Sequence, residues 1–346
     1  MLQQIVNCSC REDARSGETH GNYFDHAYEL GLYTLPDSTL SAWLDEPAAY
    51  PAIIQRYATH PSVIGWHLAD EPDFDTYRSY GWVTPEVFTQ EYQQIKAHTT
   101  LPVVADFQTA WNKWDITHLQ QYAGSVDMWG AEPYGEDVSG TIDNRIDTFH
   151  LIEAAEGTGE RPIQVNLDPL SLNLVKVYRC LIEGARMFLF WTWNDYKADP
   201  PVLAVAAQAI GELSSLKDAI FGEDVTSEMT VTGMHSQTRM MARRLGGDVY
   251  VFLSTGDGSA TQTVSFVSPD FPASGQAEVL FEGTSRPLAG GSFSETLVGW
   301  ARRVYRIHST ALTVAVTGGS TAEGNSGTTT LSFDVTVSAP ASTSQP

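Results

Sequence analysis

The sequence predicts an α/β chain: a (β/α)8 TIM barrel lacking its first βα unit, then an antiparallel β-sandwich, then a partial β-repeat. Three observations predict it. Up to about residue 222, short apolar runs alternate with longer amphipathic ones, the pattern of strands and crossover helices around a parallel sheet. From about Thr226 helical periodicity vanishes, and short alternating stretches appear between turn residues. Beyond residue 309 only a strand–turn–strand segment remains, too short to be a domain. The expected units are therefore 1–222, 226–309 and 310–346.

In the first unit the expected strands are Gln4 to Cys8, Leu32 to Leu35, Val63 to Ala69, Pro102 to Asp106, Val126 to Ala131, Pro162 to Leu167 and Ala185 to Trp191. Helices are expected near 22–31, 48–58, 85–98, 142–155, 171–183 and 202–220. Gly31 sits where a helix should stop, and Pro85 where one should start. Seven strands in βα succession suit an eight-stranded barrel short of one unit. The first strand is already followed by its helix, so the missing unit is expected before Met1 and the N-terminus reads as truncated. The sandwich is expected from stretches such as Val249 to Leu253 and Ala301 to Ile307, with turns at Gly246-Gly247-Asp248, Gly256-Asp257-Gly258 and Gly290-Gly291.

Composition narrows the function. The 346 residues, 42% of them hydrophobic, suffice for well-packed cores. Acids outnumber basic residues 42 to 20, a formal net charge of −22 that repels nucleic acid and anionic membranes. A neutral or cationic partner is expected. Cys8, Cys10 and Cys180 form neither a disulfide framework nor a zinc pattern, so buried free thiols are expected. No segment approaches the roughly twenty apolar residues that span a bilayer. Met1 to Val6 lacks the pattern of a secretion signal, so a secreted or cell-surface location is expected of a longer parent chain only. Oligomeric state is not legible.

The chemistry is expected where barrel strands end, because active sites of parallel barrels lie at the C-terminal ends of the strands. Those ends are polar and acidic: Asp37, then Asp70 and Glu71, Asp106 and Gln108, Glu132 and Tyr134, Asn166 and Asp168, then Trp191, Trp193, Asn194 and Asp195. A single acid after a strand is commonly a helix N-cap, and Asp37, Asp73 and Asp195 fit that role. Glu71 fits it poorly, since glutamate caps weakly and Pro72 removes a donor. Glu71 is therefore the leading catalytic candidate. Flat aromatic faces such as Trp191 or Trp193 suit sugar rings, whose hydroxyls reach carboxylates and amides.

Trp66-His67-Leu68-Ala69-Asp70-Glu71-Pro72 resembles the Asn-Glu-Pro or Asp-Glu-Pro ending of the fourth strand in the large clan of retaining glycoside hydrolases with (β/α)8 barrels. There the glutamate is the acid/base. Val126 to Gly135 resembles the sixth strand of that clan and Ala185 to Trp193 the eighth, whose tryptophan floors the substrate site. The following β-domain is similar to the C-terminal sandwich many of these enzymes carry. The resemblance implies hydrolysis of a β-linked oligo- or polysaccharide, with no cofactor required. Glu71 would protonate the leaving oxygen, Asp70, Asp106, Gln108, Tyr134 and Asn166 would bind substrate, and Trp191 or Trp193 would form the platform. The departure is on the seventh strand, where Arg161 to Pro169 holds no glutamate. Asp168 or Glu132 must then be the second carboxylate. Retention needs the two carboxyls roughly 5–5.5 Å apart and inversion roughly 6.5–9.5 Å. Without the seventh-strand glutamate, a non-catalytic carbohydrate-binding barrel is the alternative; a barrel holding a hard cation among the rim acids is a third. The tail, with Glu323-Gly324-Asn325-Ser326-Gly327, resembles the opening strands of a Calx-beta repeat. That implies a calcium-ligand position at Glu323, and with the other ligands lacking, tight calcium binding is not expected.

Overall fold

The computed structural model describes residues 5–9, 21–30, 33–37, 50–73, 84–107, 116–133, 141–159, 161–169, 171–190, 193–256, 258, 261–308, 314–318 and 333–337. The chain divides into two compact units, Met1–Ser215 and Leu216–Pro346.

In the first unit seven strands form one parallel sheet in sequence order: β1 (Ile5–Ser9), β2 (Tyr33–Asp37), β3 (Trp66–Asp70), β4 (Val103–Phe107), β5 (Met128–Ala131), β6 (Ile163–Leu167) and β7 (Ala185–Phe190). The helices are α1 (Gly21–Glu29), α2 (Tyr50–Tyr57), α3 (Pro85–His98), α4 (Ile116–Ala123), α5 (Thr141–Glu156), α6 (Leu174–Ile182), α7 (Trp193–Ala198) and α8 (Pro200–Ser215). This is the succession of a βα barrel. Among the described residues no ladder joins β7 back to β1. Val63 lies outside β3, in a separate bridge to Thr34. Between them Gly65 passes so close to the Pro102 carbonyl that a Cβ would lie 2.9 Å from it.

Local chemistry sets the helix starts. Thr84 Oγ1 accepts from the Val87 amide at 3.3 Å with Pro85 in the first turn, and Asn173 Oδ1 accepts from the Lys176 amide at 2.8 Å. Alternation then sorts the strand residues onto two faces. Phe107 and Trp129 face the helices: Phe107 meets Phe88 of α3 and Tyr122 of α4, and Trp129 stacks on Phe149 of α5 with centroids 4.8 Å apart. Their burial contributes about 1.5–3 kcal/mol for each fully buried large apolar side chain. Cys180 on α6 is a buried free thiol, and burial pushes it up to about 12. The opposite face of the sheet is polar, and it builds the candidate site.

The second unit opens with the short helix α9 (Lys217–Ile220) and is otherwise antiparallel β-structure. Its strands are β8 (Glu223–Asp224), β9 (Thr230–Thr232), β10 (Arg239–Leu245), β11 (Asp248–Ser254), β12 (Thr261–Val267), β13 (Ser274–Val279), β14 (Thr284–Ala289), β15 (Ser292–Val298) and β16 (Arg302–His308). They pair in the order β8-β10-β11-β16-β13-β14-β15-β12-β9. The expected sandwich is one continuous ladder with a corner, because β14 and β15 are joined only through Ala289 and Ser292. Phe266 on β12 and Phe293 on β15 lie 5.6 and 4.9 Å from Tyr305 on β16, a strand neither pairs with, so the two arcs face each other across the core. In the tail, β17 (Val314–Gly318) pairs antiparallel with β18 (Phe333–Val337).

Candidate functional site

The polar face is assembled by register. Asp70 pairs with Asp106, Asp106 with Gly130, and Gly130 with Gln164, so one row crosses β3 to β6. Two residues further along β5 and β6 lie Glu132 and Asn166, closer to the C-terminal ends. Between His67 and Asp70 the β3–β4 register slips by one residue. Such a bulge re-aims side chains at the end of a strand.

Immediately after it Glu71 takes φ +48°, a left-handed conformation rare for a residue with a side chain. It is held there from both sides. The Glu71 amide donates to the Asp106 carbonyl at 2.8 Å, and the Tyr122 hydroxyl donates to the Pro72 carbonyl at 3.3 Å. Glu71 is half-buried, and a carboxyl oxygen of its side chain accepts a hydrogen bond from the Glu132 carboxyl.

Asp106 lies at the centre of the row and is 2% exposed. Gln164 Nε2 donates to its Oδ1 at 2.6 Å, and His67 Nε2 lies 3.1 Å from its Oδ2, the donor side of that contact because a carboxylate only accepts. Gln164 reaches across β5 because Gly130 stands between: a Cβ there would fall 2.0 Å from Asp106 Oδ1. Asn166 Nδ2 donates to Glu132 Oε1 at 3.2 Å. The remaining amide oxygens, Gln164 Oε1 and Asn166 Oδ1, are buried with no hydrogen-bond partner.

Glu132 is also 2% exposed, and its carboxyl is driven far above the ordinary range. Burial is the largest cause; the charge of Asp106, the hydrogen bond to Glu71, and the charges of Asp70 and Glu71 follow. A carboxyl buried beside other acids keeps its proton, so Glu132 is protonated at neutral pH. Oxygens of Asp70, Asp106 and Glu132 lie within 4.8 Å of one another, close enough to consider a cation. Donors already point at Asp106 from His67 and Gln164 and at Glu132 from Asn166, which is the environment of a proton-holding cluster.

The structure thus brings together Asp70, Glu71, Asp106, Glu132 and Asn166. Asp168 is occupied otherwise: its carboxylate accepts from the Ser171 amide at 3.0 Å and hydroxyl at 2.6 Å, and Lys176 Nζ sits 3.4 Å away. Lys176 Nζ also contacts Ser171 Oγ, closing a local cluster at the start of α6. Gln108, Tyr134, Trp191 and Glu323 lie outside the described residues, and Trp193 is described only as the first residue of α7. Sequence reasoning missed His67, Gly130 and Gln164. Their available signal was polar or side-chain-free residues at alternate positions of otherwise apolar strands.

No protein-family model matches the chain, and no curated protein matches it by sequence. Solved structures do match in fold. A GH30 endoxylanase from Clostridium papyrosolvens aligns with TM-score 0.55 at 13% identity, over 88% of this chain and 89% of that one. An alpha-amylase from Anoxybacillus aligns with TM-score 0.53 at 10% identity, over 84% and 79%. An alpha-amylase from Geobacillus thermoleovorans, solved with acarbose, aligns with TM-score 0.53 at 10% identity, over 84% and 80%. The likeness is one of fold. This chain has a parallel βα unit followed by an antiparallel β unit, and its chemistry must be argued from its own residues.

Proposed function

We propose that this chain is a glycoside hydrolase that cleaves a β-linked oligo- or polysaccharide, with Glu71 and Glu132 as its carboxyl pair. One observation carries the reading: at the C-terminal ends of a parallel sheet a half-buried glutamate is hydrogen-bonded to a fully buried one whose carboxyl is raised far above its ordinary range. Sugar hydrolysis requires that combination of one proton donor and one carboxylate. Glu132 holds the proton in the free chain. Glu71, nearer the rim, takes it along their hydrogen bond and passes it to the glycosidic oxygen as the bond to the anomeric carbon breaks. Glu132, left as a carboxylate, then faces the developing positive charge and serves as nucleophile or as base for the attacking water, whose oxygen joins the anomeric carbon. Because the two carboxyls are hydrogen-bonded to each other, an entering sugar must take the place of that bond. The unpartnered oxygens of Gln164 and Asn166 are suited to accept from sugar hydroxyls. The β-linkage rests on the Asp70-Glu71-Pro72 resemblance alone, since the fold neighbours include both amylases and a xylanase.

The test is hydrolysis of a panel of aryl glycosides and polysaccharides by the chain beside Glu71→Gln and Glu132→Gln. Turnover that falls at least a hundredfold in both variants supports the pair; turnover that survives in either removes that residue from it. A second reading, a carbohydrate-binding barrel without catalysis, is favoured by Asp168 being tied to Ser171 and Lys176 while β6 offers no glutamate. Sugar binding without turnover in the unsubstituted chain would select it.

A further inference from the structure

Asp106 is a buried acid to which the proposed reaction gives no step, yet more of the polar face is built around it than around either glutamate. His67 from β3 and Gln164 from β6 fix its two oxygens, and the side chain of β5 that would collide with it is missing at Gly130. Its carboxylate lies within 4.8 Å of an oxygen of Glu132. A charge clamped at that distance, out of water, acts on its neighbour with little screening.

We propose that Asp106 is a positioning residue: held by His67 and Gln164 in the notch beside Gly130, its negative charge keeps a proton on the neighbouring Glu132. The inference rests on the hydrolase reading for its catalytic consequence but not for its physical content. Among the described residues, the charged groups acting on Glu132 include Asp106 from β4 and Asp70 and Glu71 from the end of β3, with the neutral amide of Asn166 facing it from β6. Of the three acids, Asp106 is the fully buried one held by two donors. Removing its charge therefore loosens the proton more than removing that of the exposed Asp70.

The substitution to make is Asp106→Asn, whose shape is nearly that of the native residue. Its new amide would oppose Gln164 Nε2, and a half-turn of the Gln164 amide presents Oε1, which lacks a partner, to receive it. Asp106→Ser, smaller and also uncharged, replaces it where the asparagine variant does not fold. The first readout is the carbonyl stretch of a protonated carboxyl in infrared difference spectra over a pH series, assigned by its loss in Glu132→Gln. The expected result is a band present at neutral pH in the unsubstituted chain that disappears at least about one pH unit lower in Asp106→Asn, with a smaller displacement in Asp70→Asn. A band that titrates at the same pH with and without Asp106, or no assignable band at neutral pH, overturns the proposal. The second readout is the pH profile of kcat/KM on any substrate found: the basic limb should move down with the infrared band. A uniform loss at every pH overturns the catalytic part, leaving a structural role. Absence of hydrolysis by the unsubstituted chain counts against the hydrolase reading alone, because the infrared titration needs no turnover.

Discussion

Gly130→Ala adds a single carbon at the point where β4, β5 and β6 meet, and its cost can be worked from the coordinates. The new Cβ would fall 2.0 Å from Asp106 Oδ1, 2.5 Å from the Ala105 carbonyl oxygen and 2.7 Å from the Asp106 Cα. Rotating the Asp106 side chain relieves only the first contact; the other two are backbone, so β5 must move away from β4. Overpacking of this kind costs about 1–3 kcal/mol. Displacing the Asp106 carboxylate also breaks its hydrogen bond from Gln164, and bonds to charged groups contribute about 1.5–3 kcal/mol. The expected destabilisation is therefore about 2.5–6 kcal/mol. Urea unfolding followed by the circular dichroism of helix reports the first unit, which contains α1 to α8. With a slope of about 3 kcal/mol per molar urea, the midpoint should fall by about 1 M or more. Gly124→Ala is the control, because a Cβ at Gly124 meets nothing within 4 Å. A Gly130→Ala midpoint within about 0.2 M of the control would refute the reasoning, and with it the role of the glycine as the notch that seats Asp106.

Glu132 makes stability depend on pH with a definite sign. Its carboxyl rises from 4.5 to about 10 on folding, so the folded chain holds more protons in that window and loses stability as pH rises through it; Glu132→Gln should gain stability relative to the unsubstituted chain at pH 9 compared with pH 5, read from paired urea midpoints, and an equal difference at both would contradict it. Glu71→Gly should be more stable than Glu71→Ala by about 1 kcal/mol, since only glycine adopts φ +48° without strain, while both lack turnover. Equal melting of the two would show that the backbone is not strained there. In the second unit, buried Glu295 accepts from Arg286 at 2.6 Å and from the Tyr305 hydroxyl at 3.0 Å. Glu295→Ala leaves the arginine without its partner and should cost about 3–5 kcal/mol by denaturant unfolding of that unit, whereas a loss below about 1 kcal/mol would mean the pair is effectively solvated.

The strands of the first unit were legible because each is a short segment, mostly apolar or alternating with apolar residues, set between longer amphipathic stretches, and Ile163–Leu167 and Ala185–Phe190 lie within the segments so expected. Helix α4 was not legible. Its eight residues follow a stretch rich in tryptophan and carry buried Leu119, Tyr122 and Ala123 among polar neighbours, too short a pattern to separate from a loop. Of the site, Asp70, Glu71, Asp106 and Glu132 could be read directly, because acids close several successive strands, although Asp168, read the same way, is held by Ser171 and Lys176. Gly130 and Gln164 could not, since their importance lies in register: only the pairing of Asp106 with Gly130 and of Gly130 with Gln164 reveals that a missing side chain on one strand lets the two flanking strands touch.

That same register explains why the polar face is better understood as machinery than as core. His67, Asp106, Gln164, Glu132 and Asn166 are all nine-tenths buried or more, in places where apolar side chains of similar volume would stabilise the sheet without desolvating a charge. The cluster satisfies Asp106 fully with two donors, yet leaves the amide oxygens of Gln164 and Asn166 without any, beside a glutamate raised far from its ordinary range. A network built only for stability would close those oxygens, since each buried polar group left unmade costs about 1–3 kcal/mol. Unpaired buried acceptors beside a held proton are what an incoming polyhydroxylated ligand would complete, uncovering and donating to Gln164 and Asn166 as it takes the place of the Glu71–Glu132 hydrogen bond. On this argument the binding of sugar and the release of the proton are one event, and a ligand lacking the hydroxyls that reach the two amides should bind without moving the Glu132 infrared band.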